Sequence, residues 1–118
     1  GLIDFQDAVI GSSLYDLASL LEDVRRPLKS NLKKKLLEFY IKTINTNFQD
    51  AEREMRFFSI QRNLKILGIF CRLSIRDKKD TYLKYLPNTV KLIRKNLKDP
   101  FFINLVNWLK QFKNHELI

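Results

Sequence analysis

Glycine, proline and cysteine are all scarce in this chain. Three glycines, three prolines and a single cysteine are spread over 118 residues, and each scarcity removes a class of protein. One thiol, Cys71, cannot build a disulfide framework, so the core must hold by burial alone, as suits a reducing compartment. Gly1, Gly11 and Gly68 stand too far apart to form a glycine-rich phosphate loop. No apolar run approaches the ~18 residues needed to span a bilayer, and no basic stretch precedes a hydrophobic segment at the N-terminus. The expectation is a cytoplasmic protein without a membrane partner. At this length roughly 65% of the unfolded chain's surface can be buried, enough for one domain.

Acid is the minority charge. Twenty-two Lys and Arg face 13 Asp and Glu, a formal net charge of +9, which raises nucleic acid or an anionic surface as a partner. The lysines, however, are scattered through several predicted helices: Lys33, Lys34 and Lys35, then Lys65, Lys84, Lys91, Lys95 and Lys110 among others. Dispersed lysine reads as a solvated face rather than a binding stripe. Nucleic acid is therefore disfavoured, and a basic nucleic-acid-binding helical domain is kept only as an alternative.

Apolar spacing predicts a mainly α chain behind a short N-terminal strand remnant. Leu2, Ile3 and Phe5 form the strand tail, with Asp4 near its end and Gly11 in the loop that follows. Ser13 and Asp16 have the spacing of a capping box, and Leu14, Leu17, Ala18, Leu21 and Val24 continue it as a helix of about three turns, ending near Arg26 and Pro27. A second helix runs from Leu28 or Ser30 to Phe48. A third, capped by Asp50, breaks near Ser59 and resumes from Ile60 to Arg76 as the buried central element. Gly68 in that helix costs about 1 kcal/mol relative to alanine, a cost best explained by close approach of a neighbour. Pro87 fits the first turn of a later helix, and Asp99 with Pro100 opens the last one. Cys71, Trp108, Phe101 and Phe102 are expected in the core, not as a redox group or an aromatic platform.

The opening stretch resembles a known family. Ile3, Asp4, Phe5, Gln6, Asp7 and Ala8, then Gly11, then Tyr15 to Leu21 with Asp16, and finally Asp23 and Arg25, are similar to the metal-binding segment of the aminoglycoside phosphotransferase and choline kinase superfamily. Within it the resemblance is to bacterial sugar kinases of the N-acetylmuramate and N-acetylglucosamine type, and it continues through Gln61 to Phe70 and on to Tyr82, Leu83 and Leu86. It implies the helical C-terminal subdomain of a protein-kinase-like fold over residues 1–118, with the nucleotide lobe and catalytic loop absent. No position can supply the family's His-x-Asp-x-x-x-x-Asn loop, since His115 lies at the far end.

The resemblance assigns roles. Asp4 matches the acid that binds the Mg²⁺ bridging the ATP phosphates, and Gln6 replaces the glycine found there in protein kinases. Asp16 matches the acid that supports the catalytic loop. Asp7, Asp23, Arg25 and Arg62 are substrate-proximal candidates. The residues themselves leave another reading open, in which Arg62 pairs structurally with Asp23 and Asn63 makes a helix-end hydrogen bond. The expected function is that of part of an ATP- and Mg²⁺-dependent kinase acting on a small-molecule hydroxyl, with an amino sugar as acceptor. This chain alone is expected to be inactive. A non-catalytic helical interaction module is the other alternative.

Overall fold

The computed structural model describes residues 10–112. The expected strand remnant, with Asp4 and Asp7, lies outside them, and among the described residues there is no strand. Five α-helices follow one another: α1 Leu14–Leu21, α2 Ser30–Ile44, α3 Phe48–Asp77, α4 Leu86–Leu97 and α5 Ile103–Leu109. Short 3-10 turns, Asp80–Tyr85 and Pro100–Phe102, lead into α4 and α5.

Local polar chemistry sets the helix ends, and it differs from the expectation in four places. The Ser13 capping box does not form: the Leu14 N–H is taken by Ser12 Oγ at 3.0 Å, and Ser13 itself has helical dihedrals. Consequently Asp16 is left exposed in the first turn. The helix has two turns rather than three, because the Asp23 carboxylate captures the Arg25 N–H at 2.9 Å and folds the chain away after Leu21. The second helix stops at Ile44, not Phe48. Asn45 takes the left-handed conformation (φ 51°), and the Thr46 N–H reaches back to Ile41 O at 3.3 Å. Asn47 rather than Asp50 then caps α3, accepting from the Gln49 and Asp50 N–H groups at 2.8 and 3.2 Å.

The third helix is unbroken for 30 residues, about 45 Å. Ser59 does not interrupt it, because neither proline nor glycine stands there and the hydroxyl has partners inside the fold. Its far end again lacks glycine: Lys78 turns left-handed (φ 54°) and the Lys79 N–H closes on Leu73 O at 3.0 Å.

Two separate clusters are threaded on α3. Leu14, Ala18 and Leu21 of α1 pack with Ile41 of α2 against Ala51 and Met55. Further along, Ile60 meets Ile93 and Leu97 of α4 and Phe102, with Leu105, Val106 and Leu109 of α5 covering them. The radius of gyration is 15.7 Å, against about 13 Å for a self-contained domain of this length. The helices spread instead of closing on one centre.

That openness corrects three core assignments. Cys71 is exposed, as are Phe101 and Trp108 at 60% and 54%, while Phe102 is buried as expected. Around Gly68 nothing lies within 4 Å of where a Cβ would stand, so close approach does not explain that glycine. The C-terminal half of α3 is therefore not a buried central rod: Ile75 is 74% exposed, and Phe70 is the residue held inside.

A polar node joins α3 and α4 between the clusters. Ser59 and Asn63 of α3 and Asn96 of α4 are all buried. Asn63 Nδ2 donates to Ser59 O at 2.8 Å and to Ser59 Oγ at 3.3 Å, and Asn96 Nδ2 donates to the same Oγ at 2.8 Å. Asn63 Oδ1 has no hydrogen-bond partner among the described residues. This is a mid-helix contact between elements, not the helix-end hydrogen bond expected of Asn63.

Candidate functional site

The connection between α1 and α2 is short and built on one acid. Asp23 caps the Arg25 N–H and also binds its guanidinium through both oxygens, Nε to Oδ1 and Nη2 to Oδ2, each at 3.0 Å. This planar fork-to-carboxylate match is the strong form of an ion pair. It holds the Asp23 carboxyl below the usual carboxylate range, first through the Arg25 side-chain hydrogen bonds, while partial burial opposes the shift and the charge of Arg62 adds to it. Arg25 is raised in turn, mainly by Asp23.

Three of the six expected site residues are thus brought together. Asp23 and Arg25 form the pair, and Arg62 on α3 stands within electrostatic reach of Asp23. Arg62 makes no ion pair with it, so the structural-pair reading is corrected: Arg25 takes both oxygens first. Arg62 Nε is buried without a hydrogen-bond partner among the described residues. Tyr82 and Tyr85 stand near Arg25, and both pack on Phe70, with ring centroids 5.4 and 6.1 Å from it. Asp16 lies exposed on α1, and no contact ties it to this group. Asp4 and Asp7 are outside the described residues. Among those residues no group of three or more His, Cys, Asp or Glu could hold a metal ion, so no chemistry of a bound metal is assigned to them.

Beside the pair a groove of about 850 Å³ opens between the α1–α2 connection and α4. Its walls carry Lys33 from α2 and Lys91, Arg94, Lys95 and Lys98 from α4 or just past it, against a single acid, Asp23. Lys33 is held by Glu22 at 3.1 Å. Part of the lysine set that reads as dispersed along the chain therefore converges here. The spacing of Lys91, Lys95 and Lys98 was the legible signal; the approach of α2 was not.

Comparison with known proteins bears on the same segment. The pattern of the phosphotransferase enzyme family matches residues 1–58. Residues 1–58 belong to the phosphotransferase enzyme family. This phosphotransferase segment carries Asp4, Asp16, Asp23 and Arg25, and ends eleven residues into α3. Curated relatives extend the likeness along the rest of the chain. An N-acetylmuramate/N-acetylglucosamine kinase of Neisseria meningitidis is 33% identical over 102 residues, covering 80% of this chain and 30% of that protein. Proteins of the same name from Caulobacter vibrioides and Pseudomonas putida are 30% and 33% identical over 116 and 95 residues, or 95% and 74% of this chain. The chain spans about three tenths of the length of these relatives. No helix among the described residues is long and apolar enough to cross a membrane.

Proposed function

We propose that this chain is the helical C-terminal lobe of an ATP-dependent kinase that phosphorylates a hydroxyl of an amino sugar in the cytoplasm. The observation that carries the reading is the family match over residues 1–58, joined to relatives that are named as amino-sugar kinases and match 74% to 95% of the chain. In this reading Asp4 binds the Mg²⁺ of Mg·ATP and Asp16 supports the catalytic loop. Asp7, Asp23, Arg25 and Arg62 lie toward the sugar.

The arrangement of Asp23, Arg25 and Arg62 supports their part in it. A sugar offers hydroxyls and, in N-acetylated forms, an amide, all of which need fixed donors and acceptors. Arg25 is fixed by its carboxylate, while Arg62 keeps a buried donor unused. Phosphoryl transfer is mainly positioning and charge neutralisation, and the general base and nucleotide lobe for it would lie outside these 118 residues. By themselves these residues should not turn over ATP.

The test is a coupled kinase assay on a longer protein containing this chain, with N-acetylmuramate, N-acetylglucosamine, choline and an aminoglycoside as acceptors. Turnover with the amino sugars, abolished by Asp4→Asn in a variant that still melts as the parent does, is the expected result. Turnover only with choline or the aminoglycoside would overturn the acceptor. An undiminished rate for Asp4→Asn would overturn the metal assignment, and ATP turnover by the 118-residue chain alone would overturn the lobe reading. Arg62→Ala should raise KM for the sugar and leave KM for ATP unchanged; an unchanged sugar KM removes Arg62 from the substrate residues.

A further inference from the structure

The α4 face is charged in a way that the helix itself does not explain. From Thr81 to Lys98 there is no acidic residue, while Lys84, Lys91, Arg94, Lys95 and Lys98 all fall in that stretch. Lys91 with Lys95, and Arg94 with Lys98, are like charges four residues apart, a spacing that destabilises a helix by a few tenths of a kcal/mol per pair. Elsewhere some cations have an acid beside them, while others, such as Lys42 and Lys65, pair with none among the described residues and stand exposed on single helices. Lys34 pairs with Glu38, Arg53 with Asp50, and Arg56 with both Glu52 and Asp99. Among the described residues no acid pairs with Lys91, Lys95 or Lys98. The helix macrodipole favours cations in the last turn, which covers Lys95 and Lys98 but not Lys91.

Those lysines line a concavity rather than a convex face. The groove also carries Val24, Pro27, Pro87 and Val90, apolar surface against which lysine stems can lie while their ammonium groups stay in reach of a ligand. Asp23, the only acid among the described residues of the lining, is already neutralised by Arg25. A volume of about 850 Å³ falls in the range of small-molecule sites, roughly 300–1,000 Å³. Four of the five cations are lysine, which meets phosphate as a point charge, whereas carboxylates of a peptide are matched by the planar fork of arginine.

We propose that this groove binds a small phosphorylated molecule, its phosphates held by Lys91, Lys95 and Lys98 and its body lying on the apolar floor. The countercharge that Lys91, Lys95 and Lys98 lack among the described residues is then supplied by the ligand. This inference rests on the lining of the groove, which shares Asp23 with the residues that the kinase reading turns toward the sugar; its test reads phosphate binding by the lysines and not turnover, so failure of one leaves the other standing.

The experiment is isothermal titration of the 118-residue chain with inorganic tripolyphosphate at two salt concentrations. Saturable binding at one site per chain is expected, weakening as salt rises. Lys91→Glu with Lys95→Glu should lower the affinity at least tenfold, about 1.4 kcal/mol. Lys42→Glu with Lys65→Glu makes the same change in net charge at exposed positions of α2 and α3 and should change the affinity no more than about threefold. If circular dichroism shows that the glutamate pair unfolds α4, Lys91→Gln with Lys95→Gln replaces it and should still weaken binding. Absence of saturation, or equal loss in the Lys42 and Lys65 comparator, overturns the proposal. Tighter binding of a pentaglutamate peptide than of tripolyphosphate also overturns it, in favour of an acidic protein segment.

Discussion

Ser59→Ala should destabilise the fold by more than the hydroxyl alone is worth, and the reason lies in which donor it strands. Ser59 Oγ accepts from two buried amides, Asn96 Nδ2 at 2.8 Å and Asn63 Nδ2 at 3.3 Å. Without that oxygen Asn63 Nδ2 keeps its shorter bond to Ser59 O. Asn96 Nδ2 loses the only partner seen for it among the described residues. A buried donor left unsatisfied costs about 1–3 kcal/mol, against about 0.5–1.5 for a hydrogen bond whose ends are both re-solvated. The expected loss is therefore about 2 kcal/mol. At an m-value of about 1.5 kcal/mol/M this moves the urea midpoint down by roughly 1 M, read by circular dichroism with the slope unchanged.

Adding Asn96→Ala to Ser59→Ala removes the stranded donor, so the double variant should be no less stable than Ser59→Ala. The non-additivity should be at least about 0.5 kcal/mol. Additivity within about 0.3 kcal/mol, or a Ser59→Ala loss smaller than that, refutes the reasoning. The node matters beyond stability, because it is the polar contact between α3 and α4 and so sets the rotation that turns Lys91, Lys95 and Lys98 toward the groove.

Other outcomes follow from the same structure. Asp23→Asn should cost about 0.5–1 kcal/mol at neutral pH, a surface-sized value because Arg25 is 55% exposed. The pairing with Arg25 holds the folded carboxyl below the ordinary aspartate value, so the stabilisation is complete above that ordinary value and is lost as pH falls through the lower folded one. A stability difference between wild type and Asp23→Asn that does not shrink as the pH falls through the acid range would contradict this. Gly68→Ala, exposed within α3 with open space around it, should stabilise the chain by about 0.4–1 kcal/mol, and a lower melting temperature would show that something does approach it. Cys71 should react with a thiol reagent in the folded protein, and Cys71→Ser should change stability by no more than about 0.5 kcal/mol; slow labelling at the global unfolding rate would place the thiol inside instead.

Much of the site lay in view along the chain, for identifiable reasons. Asp23 and Arg25 are two residues apart, so their pairing is a local event that needs no tertiary partner. Arg62 is 39 positions further on, and only the packing of α1 against α3 brings it near. The expected Asp23–Arg62 pair failed because Arg25, a local competitor with matching fork geometry, occupies both carboxylate oxygens. The helix ends failed for a similar reason: Ser12 and Asn47 sit one to three residues from the expected caps, and either serine or either Asx can reach a free N–H.

Composition and spacing by themselves determined the class of this protein. Scarce glycine excluded a phosphate loop, apolar periodicity demanded helices, and the run from Asp4 to Arg25 carried the family, because each of these depends on neighbours within a turn or two of chain. Burial was decided only in three dimensions. Cys71 and Trp108 have the spacing of core residues yet face outward, since periodicity shows that a helix has an apolar stripe but not whether another element covers it. The basic groove arose the same way: a lysine stripe on α4 becomes a concave site only where the α1–α2 connection and Lys33 of α2 stand beside it, and that approach is set by the packing of α1, α2 and α4 each against α3.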